Sequence, residues 1–376
     1  MRYLIWGGLL ALLGGVAAAG ATLEGINNAE VCGRCHRDIL TAWKSSAHAK
    51  ALENPRFQDA MERAVDVAGA AARQTCLSCH APTVRFSGDQ ALKTKASWEG
   101  VTCDFCHSLK SVTLGPGNPT LKVTFDGTKT GPLRDASSIA HGTLFSDVHT
   151  SSLVCAGCHE YQNRKGFGAL TTYSEWEQSR YGREAMQCQQ CHMAETSAQV
   201  VDPKVKRLSR ATVNLHEMPG SRSIDMLNQA VQLRLSTERE PEELVVQVEV
   251  RNRGAGHMVP TGSPLRQLHL EVSARTNGKS YSERRVYQKR VADQKGTEIE
   301  NEELVFLEAA KVLEDTRLKP DEVRREAFRF PIAAGKGARI HARLWYYYAP
   351  EKGGSDTTRV NFLTLPHYEP ARRTSR

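Results

Sequence analysis

Ten cysteines share a single spacing. They occur as Cys32-Gly33-Arg34-Cys35-His36, Cys76-Leu77-Ser78-Cys79-His80, Cys103-Asp104-Phe105-Cys106-His107, Cys155-Ala156-Gly157-Cys158-His159 and Cys188-Gln189-Gln190-Cys191-His192. Each is C-x-x-C-H, the attachment pattern of c-type haem. Cysteines at i and i+3 lie on one face of a helical turn, so both sulfurs can bond the vinyl carbons of one porphyrin. The histidine at i+4 brings its imidazole over the ring as proximal iron ligand. Zinc ribbons pair C-x-x-C units but need no histidine after every second cysteine. Redox C-x-x-C pairs occur once per domain, and disulfides closed inside five pentapeptides would make no framework. With 13 histidines in 376 residues, five in a row after C-x-x-C have a chance probability of roughly one in ten million. Five covalent haem c groups, one per motif, are expected.

Each iron either receives a sixth ligand or leaves that position open, and this separates electron carrier from enzyme. Eight histidines lie outside the motifs. His48 follows a helical pattern that starts near Arg37, with Ile39, Leu40, Trp43 and Ala47 as apolar positions. Twelve residues of helix span about 18 Å, too far to reach the opposite face of the His36 iron, so His48 is expected on a different haem. His141 and His149 flank Thr143–Asp147 ahead of the fourth motif, and His216 sits in the loop Asn214–Gly220. A distal-ligand role is expected for these four. His257, in the Gly- and Pro-containing loop Gly254–Gly262, would complete a fifth pair. His269 and His341 alternate with apolar neighbours and should face outward from strands, and His367 reads as part of a tail. Met193 adjoins His192 and cannot reach the other face of that iron, while Met186 and Met218 are more usual as packing residues. A mostly bis-histidine set implies low reduction potentials.

The elements that must position these groups fall into two halves. The chain is long enough for two domains, and 40% hydrophobic with 24% charged residues is a globular balance. Residues 1–21 have the form of a secretory signal peptide: Arg2, an apolar run from Leu4 to Val16, then Ala17-Ala18-Ala19-Gly20-Ala21. The rival reading is a retained anchor. Residues 22–224 read as the pentahaem cytochrome domain, short helical pieces and loops with motifs 44, 27, 52 and 33 residues apart. Between Cys32 and His216 about 37 residues are available per haem, too few for private cores. The haems must pack together as the interior. A hairpin is expected within Val112–Asp126. From residue 225 to 376 the pattern alternates, with strands expected over Ala230–Ser236, Leu244–Asn252, Leu265–Arg275, Glu283–Val291, Glu303–Leu313, Glu322–Phe330 and Ala338–Tyr347. These suit an all-β, immunoglobulin-like sandwich without cysteine. The fold class is therefore α+β: a haem-packed, mainly α domain followed by a sandwich, whose Trp345–Tyr348 run reads as an edge or docking surface. Formal charge is +8. Loss of Arg2 leaves +7, and five haems add roughly −5 oxidised or −10 reduced, so the basic composition does not point to nucleic acid.

The phrase Trp43-Lys44-Ser45-Ser46-Ala47-His48-Ala49 after a C-x-x-C-H, and the stretch from Tyr173-Ser174-Glu175-Trp176 to Cys188-Gln189-Gln190-Cys191-His192-Met193, resemble the multihaem cytochrome c-554 family over roughly residues 28–220. The sandwich with its Gly-His-x-x-Pro-Thr-Gly loop resembles a C-terminal extension of larger relatives. The resemblance implies a periplasmic or exported electron-transfer protein with stacked, mainly bis-histidine haems. Its type protein carries four haems, one of them five-coordinate, and this chain departs from it with five motifs. The chain departs from pentahaem nitrite reductases in having five C-x-x-C-H motifs and a β-rich final part. Electron transfer between a redox donor and acceptor is the leading expectation, with no catalytic residue assigned. The alternative is a haem oxidoreductase acting on nitrite, hydroxylamine or a sulfur oxyanion at one five-coordinate iron. Neither nucleic acid nor, after cleavage, integral membrane placement is expected. The sandwich is available for docking or self-assembly.

Overall fold

The computed structural model describes residues 25–206, 212–349 and 359–372; the segment expected as a signal peptide lies outside them. Among the described residues no helix is long and apolar enough to cross a membrane. The cysteine-bearing half is built of short helices. Four motifs lie within helices: at the end of Ala70–His80, in Cys103–Ser108, at the end of Leu153–His159, and in Cys188–His192. The first straddles a junction, since Ala29–Gly33 stops inside it and His36 begins the next helix, Arg37–Ser45. Pro55–Ala68 starts with Asn54 accepting from the Arg56 N–H and ends at Gly69, whose φ is 70°, a start and stop written in residue types. This half has a small apolar cluster of its own: Leu52, Met61, Leu77, Ala81 and Val84. It also holds more strand than a mainly helical reading expects. Leu109–Thr113 pairs with Thr120–Val123 at the expected hairpin, and three further two-stranded pieces bring Thr128–Gly131 to Gly142–Phe145, Glu160–Gln162 to Gly168–Thr171, and Glu195–Ser197 to Thr212–Asn214.

The C-terminal part is rich in sheet. Three antiparallel strands run in the order Val323–Phe330, Leu244–Asn252, Val231–Arg239. Five more run Lys311–Asp315, Lys279–Ala292, Gln267–Thr276, Ala338–Tyr347, Arg359–Glu369. Alternation decides which side chains enter the space between the sheets. Val246, Val248 and Val250 from one sheet meet Leu268, Leu270, Val272, Ile340, Ala342 and Leu344 from the other in one buried cluster. Each such side chain contributes about 1.5–3 kcal/mol by leaving water. A second cluster crosses between the halves: Phe167 and Ala169 pack with Leu265, Val291, Ile299, Val305 and Ala309.

The structure corrects four local expectations. Residues 302–308 form a helix, Glu302–Glu308, and only Lys311–Asp315 is strand. A short apolar run does not distinguish the two states, and Glu302 and Glu303 suit a helix N-terminus. His367 lies in the strand Arg359–Glu369, not a tail; Pro366 is accommodated because that strand is at a sheet edge. Trp345–Tyr348 is not an edge, since Ala338–Tyr347 lies between two strands and Tyr346 and Tyr347 are buried. His269 does not face solvent. It is 3% exposed, stacks on Tyr347 at 3.9 Å, and lies 2.8 Å from Gln267 Oε1 through Nε2.

Burial pushes the His269 pKa down to about 4, with Arg284 and Arg359 adding to the effect. The unfolded ring takes a proton near pH 6.5, so between these values unfolding binds a proton and stability falls as pH falls. Denaturant unfolding at pH 7 and pH 4.5 should show wild type losing about 2 kcal/mol more than His269→Gln. Equal acid losses in the two proteins would remove His269 as the source.

Candidate functional site

Four histidines outside the motifs meet four motif histidines across gaps of one size. Ring centres are 6.3 Å apart for His36 and His141, 6.2 Å for His48 and His159, 6.4 Å for His107 and His216, and 6.3 Å for His192 and His257. Two imidazoles on opposite sides of one metal, with metal–nitrogen bonds of about 2.0–2.1 Å, have ring centres roughly 6.3 Å apart. A direct stacking contact would be shorter and a water-filled gap has no reason to repeat.

Hydrogen bonds fix which nitrogen is free. The Nδ1 atoms of His36, His107 and His192 lie 2.5, 2.7 and 2.7 Å from the carbonyls of Val200, Thr130 and Pro219. Those of His141, His216 and His257 lie 2.7–2.9 Å from Gly142, Asn214 and Met258 carbonyls. An Nδ1–H donated to a carbonyl leaves the Nε2 lone pair for a metal. Burial favours the neutral form of six histidines: it pushes His107 and His159 down to about 3 and His80 to about 4, and lowers His48, His216 and His257. His48 Nδ1 is buried without a partner.

His149 is arranged differently. It lies on the short turn Asp147–Thr150, 5.6 Å from His107 between ring centres. Its Nε2 lies 2.9 Å from the Cys106 carbonyl, and its buried Nδ1 has no partner. His107 thus has two neighbouring rings, His149 and His216. His80 of the second motif has Phe57 stacked on it at 3.8 Å, and among the described residues no imidazole stands opposite it at the recurring spacing.

All ten cysteines are unpaired. Sulfurs of different motifs lie near enough to influence each other's ionisation: Cys32 and Cys103, Cys79 and Cys158, and Cys155 and Cys188. Attachment points of separate groups are therefore neighbours. Paired imidazoles, free cysteine pairs beside each proximal ring and a sparse apolar interior fit haem c, which supplies four equatorial nitrogens and its own apolar surface.

Some participants carried no signal in the sequence. Carbonyls that orient the rings belong to residues of any type. Glu175, which accepts from the Met258 N–H at 3.2 Å and Thr261 Oγ1 at 2.7 Å beside His257, stands in the Tyr-Ser-Glu-Trp phrase but reads there as an ordinary helix acid. Asp104, inside the third motif, is 1% exposed and accepts from the Asn27 N–H at 2.6 Å and from Lys129 Nζ.

These features define a multihaem c-type cytochrome. Residues 31–108 match the family described as cytochrome c554 and c-prime. That match supports covalently bound haem c and electron transfer in general. Among solved structures the chain is similar to a penta-heme cytochrome c552 from Thermochromatium tepidum, at 22% identity over 92% of this chain and 99% of that one, with a TM-score of 0.70. A match to Spo0M, a sporulation control protein from Bacillus subtilis, spans 37% of this chain and 47% of that one at 12% identity and a TM-score of 0.14. No curated protein matches.

Asp104→Ala would leave the largely buried Lys129 ammonium without its carboxylate, and breaking such a pair costs about 3–5 kcal/mol. Denaturant unfolding should show that loss, and Lys129→Met on top of Asp104→Ala should recover more than half of it. No recovery in the double variant would place the loss elsewhere.

Proposed function

We propose that the protein is a pentahaem electron carrier of an exported compartment, passing single electrons between a redox donor and an acceptor. The observation that carries this is the set of four imidazole pairs at 6.2–6.4 Å. Each bound haem supplies an iron that gains or loses one electron. The cysteines of each motif tether one group, and His36, His80, His107, His159 and His192 are the proximal ligands. His141, His216, His48 and His257 close the first, third, fourth and fifth sites. Closed sites keep water and small ligands out, and two imidazoles favour low potentials. The proximity of Cys32 to Cys103, Cys79 to Cys158, and Cys155 to Cys188 supports short distances between successive groups, which a conductor needs. The five C-x-x-C-H motifs and the alignment with a penta-heme fold support the count of five. Export follows from the N-terminal apolar run and from the number of thioether-bound groups.

Two observations favour second readings at single sites. The buried, unpartnered Nδ1 of His149 beside His107 supports ligation of the third iron by His149 instead of His216. The absence of an opposed histidine at His80 among the described residues supports an open second iron. There a nitrite- or hydroxylamine-type substrate could bind, and the protein would then also be an oxidoreductase.

Intact mass should give five haem additions, and paramagnetic resonance with magnetic circular dichroism should give four low-spin ferric irons and one high-spin. Five low-spin irons with no turnover of nitrite or hydroxylamine by dye-reduced protein would end the oxidoreductase reading. Two or more high-spin irons would end the carrier reading.

His216→Ala should convert one further iron to high spin, while His149→Ala leaves the low-spin count at the wild-type value. The reverse result assigns the third iron to His149.

A further inference from the structure

We infer that Glu175 is a positioning residue for the fifth haem, fixing the histidine that the sheet-rich part delivers to the cytochrome part. The inference rests on the reading of His257 as a distal ligand. His257 sits in a loop between strands, and nothing in its own backbone ties it to the motif it faces. The tie is made from the other side, by the helix Thr172–Glu177.

The Glu175 side chain is 10% exposed and its two oxygens are fully used. Oε2 accepts from the Met258 N–H at 3.2 Å and from Thr261 Oγ1 at 2.7 Å. Oε1 accepts from Arg317 Nη1 at 2.7 Å and from Thr171 Oγ1 at 2.8 Å. Met258, whose N–H donates to Glu175, presents the carbonyl of its following peptide unit to His257 Nδ1 at 2.9 Å. The carboxylate therefore holds the residue whose carbonyl orients the imidazole. Arg317 is itself 6% exposed in its side chain and is gripped by Asp315 at 2.8 and 2.9 Å, so the guanidinium cannot swing away. Gly256 completes the seat: a Cβ there would lie 3.2 Å from the Trp176 ring and 3.1 Å from Tyr181 Cβ, so the loop rests directly on the helix and turn beneath it.

The chemistry explains why a carboxylate is needed. Each oxygen meets one donor that cannot rotate, the Met258 N–H on one side and the Arg317 guanidinium on the other. A glutamine amide would point its NH2 at a fixed donor in either orientation, and only an acceptor at both positions satisfies the loop. Loss of an outer hydrogen bond that orients a metal-bound histidine typically costs roughly 10–100-fold in metal affinity or activity. Here the loss would appear as release of the ring from iron.

The test uses the full-length, haem-loaded protein with cyanide as probe. His257→Ala should convert one additional iron from low to high spin. Glu175→Gln should keep the haem content and the circular dichroism of wild type. It should let cyanide bind one more iron, at a rate raised roughly tenfold or more, and shift one midpoint potential in spectroelectrochemistry. Arg180→Ala removes an exposed bridge between the same two parts, Arg180 to Asp321 at 3.2 Å, without touching the loop, and should leave cyanide entry unchanged. If Glu175→Gln does not fold, Thr261→Val, which removes one donor of the same seat, should show the same change in smaller degree. His257→Ala with no change in spin state overturns both the ligand reading and the inference. A new high-spin iron in His257→Ala, together with wild-type cyanide entry in Glu175→Gln (or in Thr261→Val where the former is unfolded), overturns the inference alone. An equal gain in cyanide entry from Arg180→Ala would overturn it too, since any loosening between the two parts would then suffice.

Discussion

The spacing between opposed imidazoles governs this structure. A gap near 6.3 Å between ring centres is wide enough for a metal plane and too narrow for anything looser, and the chain reproduces it four times with histidines drawn from more than sixty residues away. Each gap joins a short motif helix to a turn or loop elsewhere. The polypeptide between them has little freedom once both rings are held, which explains how so many short helices with so small an apolar cluster of their own can have a defined arrangement. In an ordinary domain of this size the side chains would supply the interior. In the proposed pentahaem arrangement they supply its tethers, and the tethered groups would be the interior.

Neutral rings are a condition of this arrangement. A charged imidazole has no lone pair for iron, and buried without a counter-ion it would be costly. The structure meets the condition by two routes at once. Desolvation lowers the proton affinity of His107 and His159, and backbone carbonyls at Val200, Thr130 and Pro219 hold Nδ1–H in place so that the free lone pair is at Nε2. Asp104, placed between the two cysteines of the third motif and buried with Lys129, shows that charge is admitted to this interior only in compensated form.

The proposed proximal half of each site is legible in the sequence, because two cysteines and a histidine must be adjacent on one turn and their spacing is therefore local. The distal half is disclosed only as a supply of spare histidines. The helix that the pattern from Arg37 suggests stops at Ser45, short of His48, and nothing local says that the His48 ring faces His159; that is a property of the fold. His149 and His216 illustrate the same limit, as both lie beside His107. In the sheet-rich part, burial alternates residue by residue along 246–252 and 338–346, and Val245 and Tyr347 break the pattern by being buried as well. The failures occur where burial came from outside the strand itself. His269 alternates as a solvent-facing residue should, and Tyr347 on the neighbouring strand covers it. Pro366 conceals a real strand because an edge position tolerates what a central one would not.

Two parts with such different interiors need a junction that neither could form alone. One component is apolar, where Phe167 and Ala169 enter a cluster with Leu265, Val291 and Ile299, and one is polar, where Asn163 donates to the Ala309 carbonyl at 2.8 Å and Glu175 engages Arg317. The apolar component fixes distance without direction, since hydrophobic contact is not directional. The polar component adds direction, and it lies beside His257. A ligand carried on a separate sheet-rich part must arrive with the angular accuracy of a metal bond, which hydrophobic packing by itself does not impose. The buried Glu175–Arg317–Asp315 set is therefore explained by the precision demanded next to it more than by stability, for a buried ion pair is a weak stabiliser compared with apolar side chains of the same volume.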